Sequence, residues 1–150
     1  MLVLELMDGA LVITAYQKLL TLYIDGIEQP LINGNMWNQT HSAGLTETNR
    51  LIAVMARGDR TCSGLLASIG DGYVLTDGNW KCYEYTDKDW ERLGYDESWW
   101  PYAVEFGSNA DGHTGCSQPQ FIPDISADAK WIWVSDQTEY EIYCRGYIRT

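Results

Sequence analysis

Along this chain, apolar and polar residues alternate in short bursts rather than in helical turns. Leu2–Leu6, Ala10–Ala15, Leu19–Asp25, Leu51–Ala56, Gly64–Ile69, Tyr73–Leu75, Trp80–Tyr85, Tyr102–Phe106, Trp131–Val134 and Tyr140–Ile148 each show period-two spacing or β-branched and aromatic enrichment. Turn dipeptides such as Asp25-Gly26, Asp71-Gly72 and Asp77-Gly78 fall between or beside them. No stretch sustains a 3.6-residue period, so the pattern predicts an all-β protein, an antiparallel sandwich in one domain over residues 1–150. In Trp131-Ile132-Trp133 the alternation predicts both indoles on one side and Ile132 on the other, in a core strand.

Two segments interrupt the strand pattern. Asn33–Asn49 is rich in Asn, Gly, Ser and Thr, with Trp37 inside it, and reads as a long loop. Thr86–Trp100 is acid-rich, carries Trp90, Tyr95, Trp99 and Trp100, and accommodates at most one helical turn near Trp90–Leu93. Long loops on a rigid scaffold carry function disproportionately.

The opening Met1–Asp8 lacks a basic start and is broken by acids, so it reads as a first strand and not as a secretory leader. No apolar run approaches the roughly 20 residues needed to cross a bilayer as a helix, which argues against membrane insertion.

Charge and composition then narrow the function classes. Ten Lys and Arg against 21 Asp and Glu give a net charge of −11, and the few cations are scattered. A phosphate backbone finds no footprint here, so nucleic acid is excluded as a partner. Ten Tyr and seven Trp against two Phe favour half-buried sheet faces and binding patches, because these rings join an apolar face to a polar tip.

Cys62, Cys82, Cys116 and Cys144 are even in number and widely spaced, without the paired clusters of a zinc site or a redox motif. Two disulfides are the expectation, and with them an oxidising compartment. Asn38-Gln39-Thr40 is an N-glycosylation sequon of the kind found in secreted chains.

Nucleophilic catalysis needs a histidine beside a nucleophile, and only His41 and His113 exist, both in polar, Gly- and Ser-containing stretches. Glycosidase work needs two carboxylates facing each other across a cleft, whereas Asp96-Glu97 and Asp87/Asp89 are near neighbours in one loop. No enzyme is expected. Sugars are held by an aromatic platform flanked by hydrogen-bonding side chains, and loop Trp with loop Asp supplies that combination.

Several segments in order resemble the galactose-binding-domain-like jelly-roll superfamily, particularly its secreted invertebrate-type members and glycosidase sugar-binding domains. They are Thr21-Leu22-Tyr23-Ile24-Asp25-Gly26, Asn49-Arg50-Leu51-Ile52-Ala53-Val54, Gly64-Leu65-Leu66-Ala67, Thr76–Cys82, Tyr95–Trp99, Ala129–Trp133 and Tyr143-Cys144-Arg145. The chain departs from the family at Ala15-Tyr16-Gln17 and Met36-Trp37. The resemblance implies a jelly-roll sandwich, a structural calcium ion, and a Cys82–Cys144 bridge that leaves Cys62 and Cys116 for each other. Residue spacing alone permits three connectivities. Acids at Asp71, Asp77, Asp87, Asp89, Asp96 and Asp111 are the pool from which calcium ligands would come.

The expected function is a secreted, non-catalytic, lectin-like module that recognises glycans or glycoproteins through Trp37, Asp96, Trp100, Asn109 and His113. A structural or adhesive extracellular matrix protein, acting through protein contacts and able to form a homo-oligomer, is the alternative. A third reading is a non-catalytic domain of a larger secreted enzyme.

Overall fold

The computed structural model describes residues 9–31, 37–70, 74–117 and 119–148. The expected strand at Leu2–Leu6 lies outside them, as does Tyr73. Among the described residues eleven strands are formed: β1 (Gly9–Tyr16), β2 (Lys18–Ile24), β3 (Ile27–Glu28), β4 (His41–Leu45), β5 (Leu51–Arg57), β6 (Gly64–Ile69), β7 (Val74–Leu75), β8 (Lys81–Tyr83), β9 (Val104–Ser108), β10 (Lys130–Trp133) and β11 (Glu141–Tyr147). There is no helix among the described residues. The first sheet runs β4-β1-β6-β10-β9, with β7 on β6, and the second β3-β2-β5-β11-β8. Every strand pairing is antiparallel, so the protein is the all-β two-sheet sandwich that the period-two pattern predicts.

The inner faces of both sheets meet in one core that joins Leu11, Ile13 and Ala15 of β1, Ile52, Val54 and Ala56 of β5, and Leu65, Ala67 and Ile69 of β6. Gln17, between β1 and β2, takes a positive φ of 81° where the chain passes from one sheet to the other. The hairpin from β2 to β3 turns on Asp25 (φ 52°) and Gly26 (φ 83°). Two positive φ values in a two-residue turn match the strand twist, and Asp-Gly supplies them. The Asp25 carboxylate accepts the Arg50 and Leu51 N–H groups at 3.0 and 2.8 Å, tying this hairpin to the start of β5.

Two expectations are corrected here. The Asn33–Asn49 stretch is not all loop, because β4 forms within it and pairs with β1 from Gly9↔Leu45 to Ile13↔His41. His41, Ala43 and Leu45 are buried while Ser42 and Gly44 face out, an alternation that small residues disguise. The two indoles of β10 do not share one environment. Trp133 and Ile132 join the inter-sheet core, while Trp131 joins a second cluster with Leu66, Ile122, Ile125 and Ala129. The pairing of β10 with β9 shifts register between Lys130 and Ile132, and a bulge of this kind re-aims side chains that strict alternation would keep together.

Cys82 and Cys144 stand opposite one another in β8 and β11 and are bonded, as are Cys62 and Cys116. Beside the first bridge, Gly146 leaves room for Trp80. A Cβ at 146 would lie 2.1 Å from the Trp80 ring, and that indole is itself buried and donates to the Leu75 carbonyl at 3.3 Å. Gly146→Ala is therefore expected to destabilise the protein by about 2 kcal/mol or more, within the range for overpacked cores. Denaturant titration checks this, and a midpoint equal to that of the parent chain would refute the packing account.

Candidate functional site

The outer face of the second sheet is too apolar to face water. Tyr23, Met55, Tyr143 and Tyr83 lie across it in neighbouring strands, and the Thr86–Trp100 segment covers them. Trp90 meets Tyr143 at 5.0 Å and Tyr23 at 5.8 Å edge to face, and stacks on Trp100 at 6.5 Å. Successive turns shape the segment: the N–H groups of Arg92, Tyr95 and Trp100 donate to the carbonyls of Asp89, Arg92 and Glu97 at 3.0, 3.2 and 2.9 Å. Asp89 takes a positive φ of 69° within the first of them, a conformation that Asp tolerates better than most residues.

One side chain of β11 pins this cover. The Arg145 side chain is 0% exposed. It donates to Glu97 at 2.5 Å, to the Trp90 and Arg92 carbonyls at 2.5 and 2.9 Å, and to the Tyr147 hydroxyl at 3.0 Å. A guanidinium is suited to this because its fork presents several donors in fixed directions.

The pinned segment forms an open surface hollow of about 550 Å³, lined by Asp87, Lys88, Asp89, Arg92, Gly94, Tyr95, Asp96 and Trp99. Trp99 is 50% exposed and continues into an aromatic ledge, with Tyr83 edge-on at 5.3 Å and Tyr85 at 5.7 Å from Tyr83. The Tyr95 hydroxyl donates to Asp87 at 2.6 Å. Burial, followed by that carboxylate partner, pushes the phenol above its usual pKa. The Ser98 hydroxyl and N–H hold the Asp96 carboxyl below the usual carboxylate range, with Lys81 adding a smaller pull. Arg92 lies 3.3 Å from Asp89. The lining offers carboxylate acceptors, two cations and an aromatic face, and contains no histidine, cysteine or serine.

The five residues singled out from the sequence do not form one site. Asp96 lines the hollow and is exposed, but Trp100 is only 2% exposed and packs under Trp90, Tyr95 and Trp99. The neighbouring Trp99, 50% exposed, lines the hollow instead. The other three lie at the first sheet. Trp37 is half-buried against the Trp131 cluster, its carbonyl accepting the Thr14 hydroxyl at 2.8 Å. Asn109, 1% exposed, spends its whole amide internally: its NH₂ donates to the carbonyls of Ile122, Ile125 and Ser126 and its oxygen accepts the Ile122 N–H. It fastens the segment over the outer face of the first sheet and has no group left for a ligand.

His113 is 5% exposed, stacked on Phe106 at 5.4 Å, with Nε2 on the Ser63 carbonyl at 2.8 Å and Nδ1 accepting the Gly115 N–H at 3.0 Å. Burial holds its pKa below the usual value. Neither Asn109 nor His113 faces a ligand from solvent. Asn38, by contrast, is exposed in a turn.

Among the described residues, the carboxylates do not converge in threes. The one metal-capable group of three comprises Cys62, His113 and Cys116, and Asp71 lies outside the described residues. Of the remaining acids proposed for calcium, Asp77 caps the Asn79 N–H at 2.8 Å, Asp96 caps that of Ser98 at 2.9 Å, and Asp87 holds Tyr95. Sequence reasoning ranks Trp99 below Trp37 and Trp100 as a platform and carries no signal for the Arg145 pin. No protein-family model, curated protein or solved structure matches the chain.

Proposed function

We propose that this chain is a non-catalytic, extracellular glycan-binding module of the galactose-binding-like type, and that glycans dock in the hollow of the Thr86–Trp100 segment. The observation that carries the reading is the half-exposed Trp99 standing beside Asp87, Asp89 and Asp96 over a hollow of about 550 Å³. A hollow of that size is ordinary for small-molecule sites. The indole offers its face to the C–H side of a pyranose, and the carboxylates take its hydroxyls. The buried network behind it fixes the platform in advance, which reduces what binding loses in ordering. Two disulfides are consistent with an oxidising compartment, and secretion is the form of that compartment proposed here.

Isothermal titration against glycans selected on an array tests the reading. Trp99→Ala is expected to weaken binding about tenfold or more, the equivalent of roughly 1.4 kcal/mol, while Trp37→Ala leaves it unchanged. An array without a hit, with and without Ca²⁺, would retire the proposal.

A second reading has its own support. Tyr85, Tyr102 and Trp99 are 67%, 64% and 50% exposed, and exposed aromatics of this kind are enriched where proteins meet. An adhesive role would show itself as self-association in sedimentation, weakened by Tyr85→Ala and indifferent to sugars.

A further inference from the structure

Away from the hollow, the chain brings together Cys62 at the entry to β6 and the turn His113-Thr114-Gly115-Cys116. The two sulfurs and a His113 ring nitrogen all lie within 4.8 Å of one another. We infer that Cys62, His113 and Cys116 form a redox-gated metal site, closed as a disulfide in the oxidised protein and able to take Zn²⁺ once a thiol reductant has opened it.

The geometry around the histidine carries this. Because Nε2 faces the Ser63 carbonyl at 2.8 Å, it must bear the proton, which leaves the lone pair on Nδ1. That nitrogen lies on the Gly115 side, accepting the Gly115 N–H at 3.0 Å, next to Cys116 in sequence. A ring N–H donated to a backbone carbonyl is the second-shell arrangement that orients metal-ligating histidines. His113 and Cys116 also stand at the short spacing from which zinc ligands are commonly drawn, in a turn closed by the Cys116 N–H on the His113 carbonyl at 3.4 Å. Phe106, stacked on the imidazole, and Trp131 at 6.1 Å give the site an apolar wall.

Access separates this bridge from the other one. Cys116 is partly exposed, whereas Cys82 and Cys144 are both 0% exposed. Thiol exchange requires a sulfur that the attacking thiolate can reach, so a thiol reductant opens Cys62–Cys116 first. Two reductant thiols deliver two electrons and two protons, forming two cysteine thiols and one reductant disulfide. Zn²⁺ then displaces those two protons, binding two thiolates and Nδ1 in place of the Gly115 N–H, with a fourth position left for water.

The test uses the whole chain, treated with dithiothreitol, freed of it under nitrogen and titrated with Co²⁺ as the spectroscopic probe. The expected result is two titratable thiols, unchanged near-ultraviolet circular dichroism, and one Co²⁺ bound with a thiolate-to-cobalt charge-transfer band that Zn²⁺ abolishes. His113→Gln, which retains a hydrogen-bonding side chain, should weaken uptake about tenfold or more, and the double variant Cys62→Ser/Cys116→Ser should show no band. The inference is overturned if the thiols appear without a band, if Cys82–Cys144 opens instead, or if His113→Gln binds as tightly as the parent chain.

Discussion

Replacing Arg145 by methionine is expected to cost about 3–5 kcal/mol of stability, the usual result of removing one partner from a buried ion pair. The guanidinium is fully enclosed and the Glu97 side chain is 16% exposed, so little water is at hand to replace what is lost. The variant leaves a carboxylate facing a methyl group and strands the Trp90 and Arg92 carbonyls. Methionine restores the volume, which isolates the polar loss from a cavity effect. Because the pinned groups all belong to the segment that builds the hollow, the near-ultraviolet signal of Trp90, Trp99 and Trp100 should fall along with the denaturation midpoint, and glycan affinity with both. Arg145→Lys should recover only part of the loss, since an ammonium cannot reach a carboxylate and two carbonyls in the directions of a planar fork. A drop below about 1 kcal/mol for Arg145→Met would mean that the aromatic stack holds the segment without its pin.

That pin shows where reading the sequence stops. Arg145 belongs to the outward-facing set of β11 with Tyr143 and Tyr147, and in a bare sandwich that set meets water. It is enclosed here because a segment some fifty residues earlier in the chain folds across it, and no local period records such a covering. The strands themselves were legible for the opposite reason: apolar alternation, together with the positive φ that Asp25-Gly26 supplies, is written locally. β4 escaped because Ser42, Ala43 and Gly44 are not strand formers and owe their conformation to pairing with β1.

That Trp100 is buried and Trp99 exposed was not legible for want of periodicity. Within a loop, adjacent side chains take their directions from turn geometry, here the Trp100 N–H on the Glu97 carbonyl. The Cys62, His113 and Cys116 group was half visible, since His-x-x-Cys is a local spacing while Cys62 arrives from another strand. A shared logic nevertheless emerges. Each sheet has an apolar outer face, each face is covered by a long segment, and each cover is fastened by one buried polar side chain with several hydrogen bonds, Asn109 on the first sheet and Arg145 on the second. The sequence does not separate a buried fastener such as Asn109 from an exposed rim residue such as Asp96, because burial here depends on which segment covers which face.

Removing the inner bridge by Cys82→Ala/Cys144→Ala is expected to cost about 4 kcal/mol in loop entropy and about 1 kcal/mol or more besides in packing. It closes a loop with a sequence separation of 62 residues, and the chain-entropy model gives roughly the first of these values for a loop of such length. The outer bridge, with a separation of 54, differs by only about 0.1 kcal/mol on the same model. Loop entropy alone therefore predicts nearly equal losses for the two double variants. Packing predicts otherwise. Cys82 and Cys144 are both fully buried in the inter-sheet core, so their removal also leaves unfilled space beside Trp80, whereas Cys116 lies partly exposed at the edge. Denaturant titration of both variants separates the two contributions: the excess loss at the inner bridge measures the core, and it should reach about 1 kcal/mol or more, the scale for cavities of methyl size. Equal losses would assign the effect to the unfolded chain alone, and a larger loss at the outer bridge would show that the Cys62–Cys116 turn is part of the structural core and not a bond that a thiol can open without unfolding the sandwich.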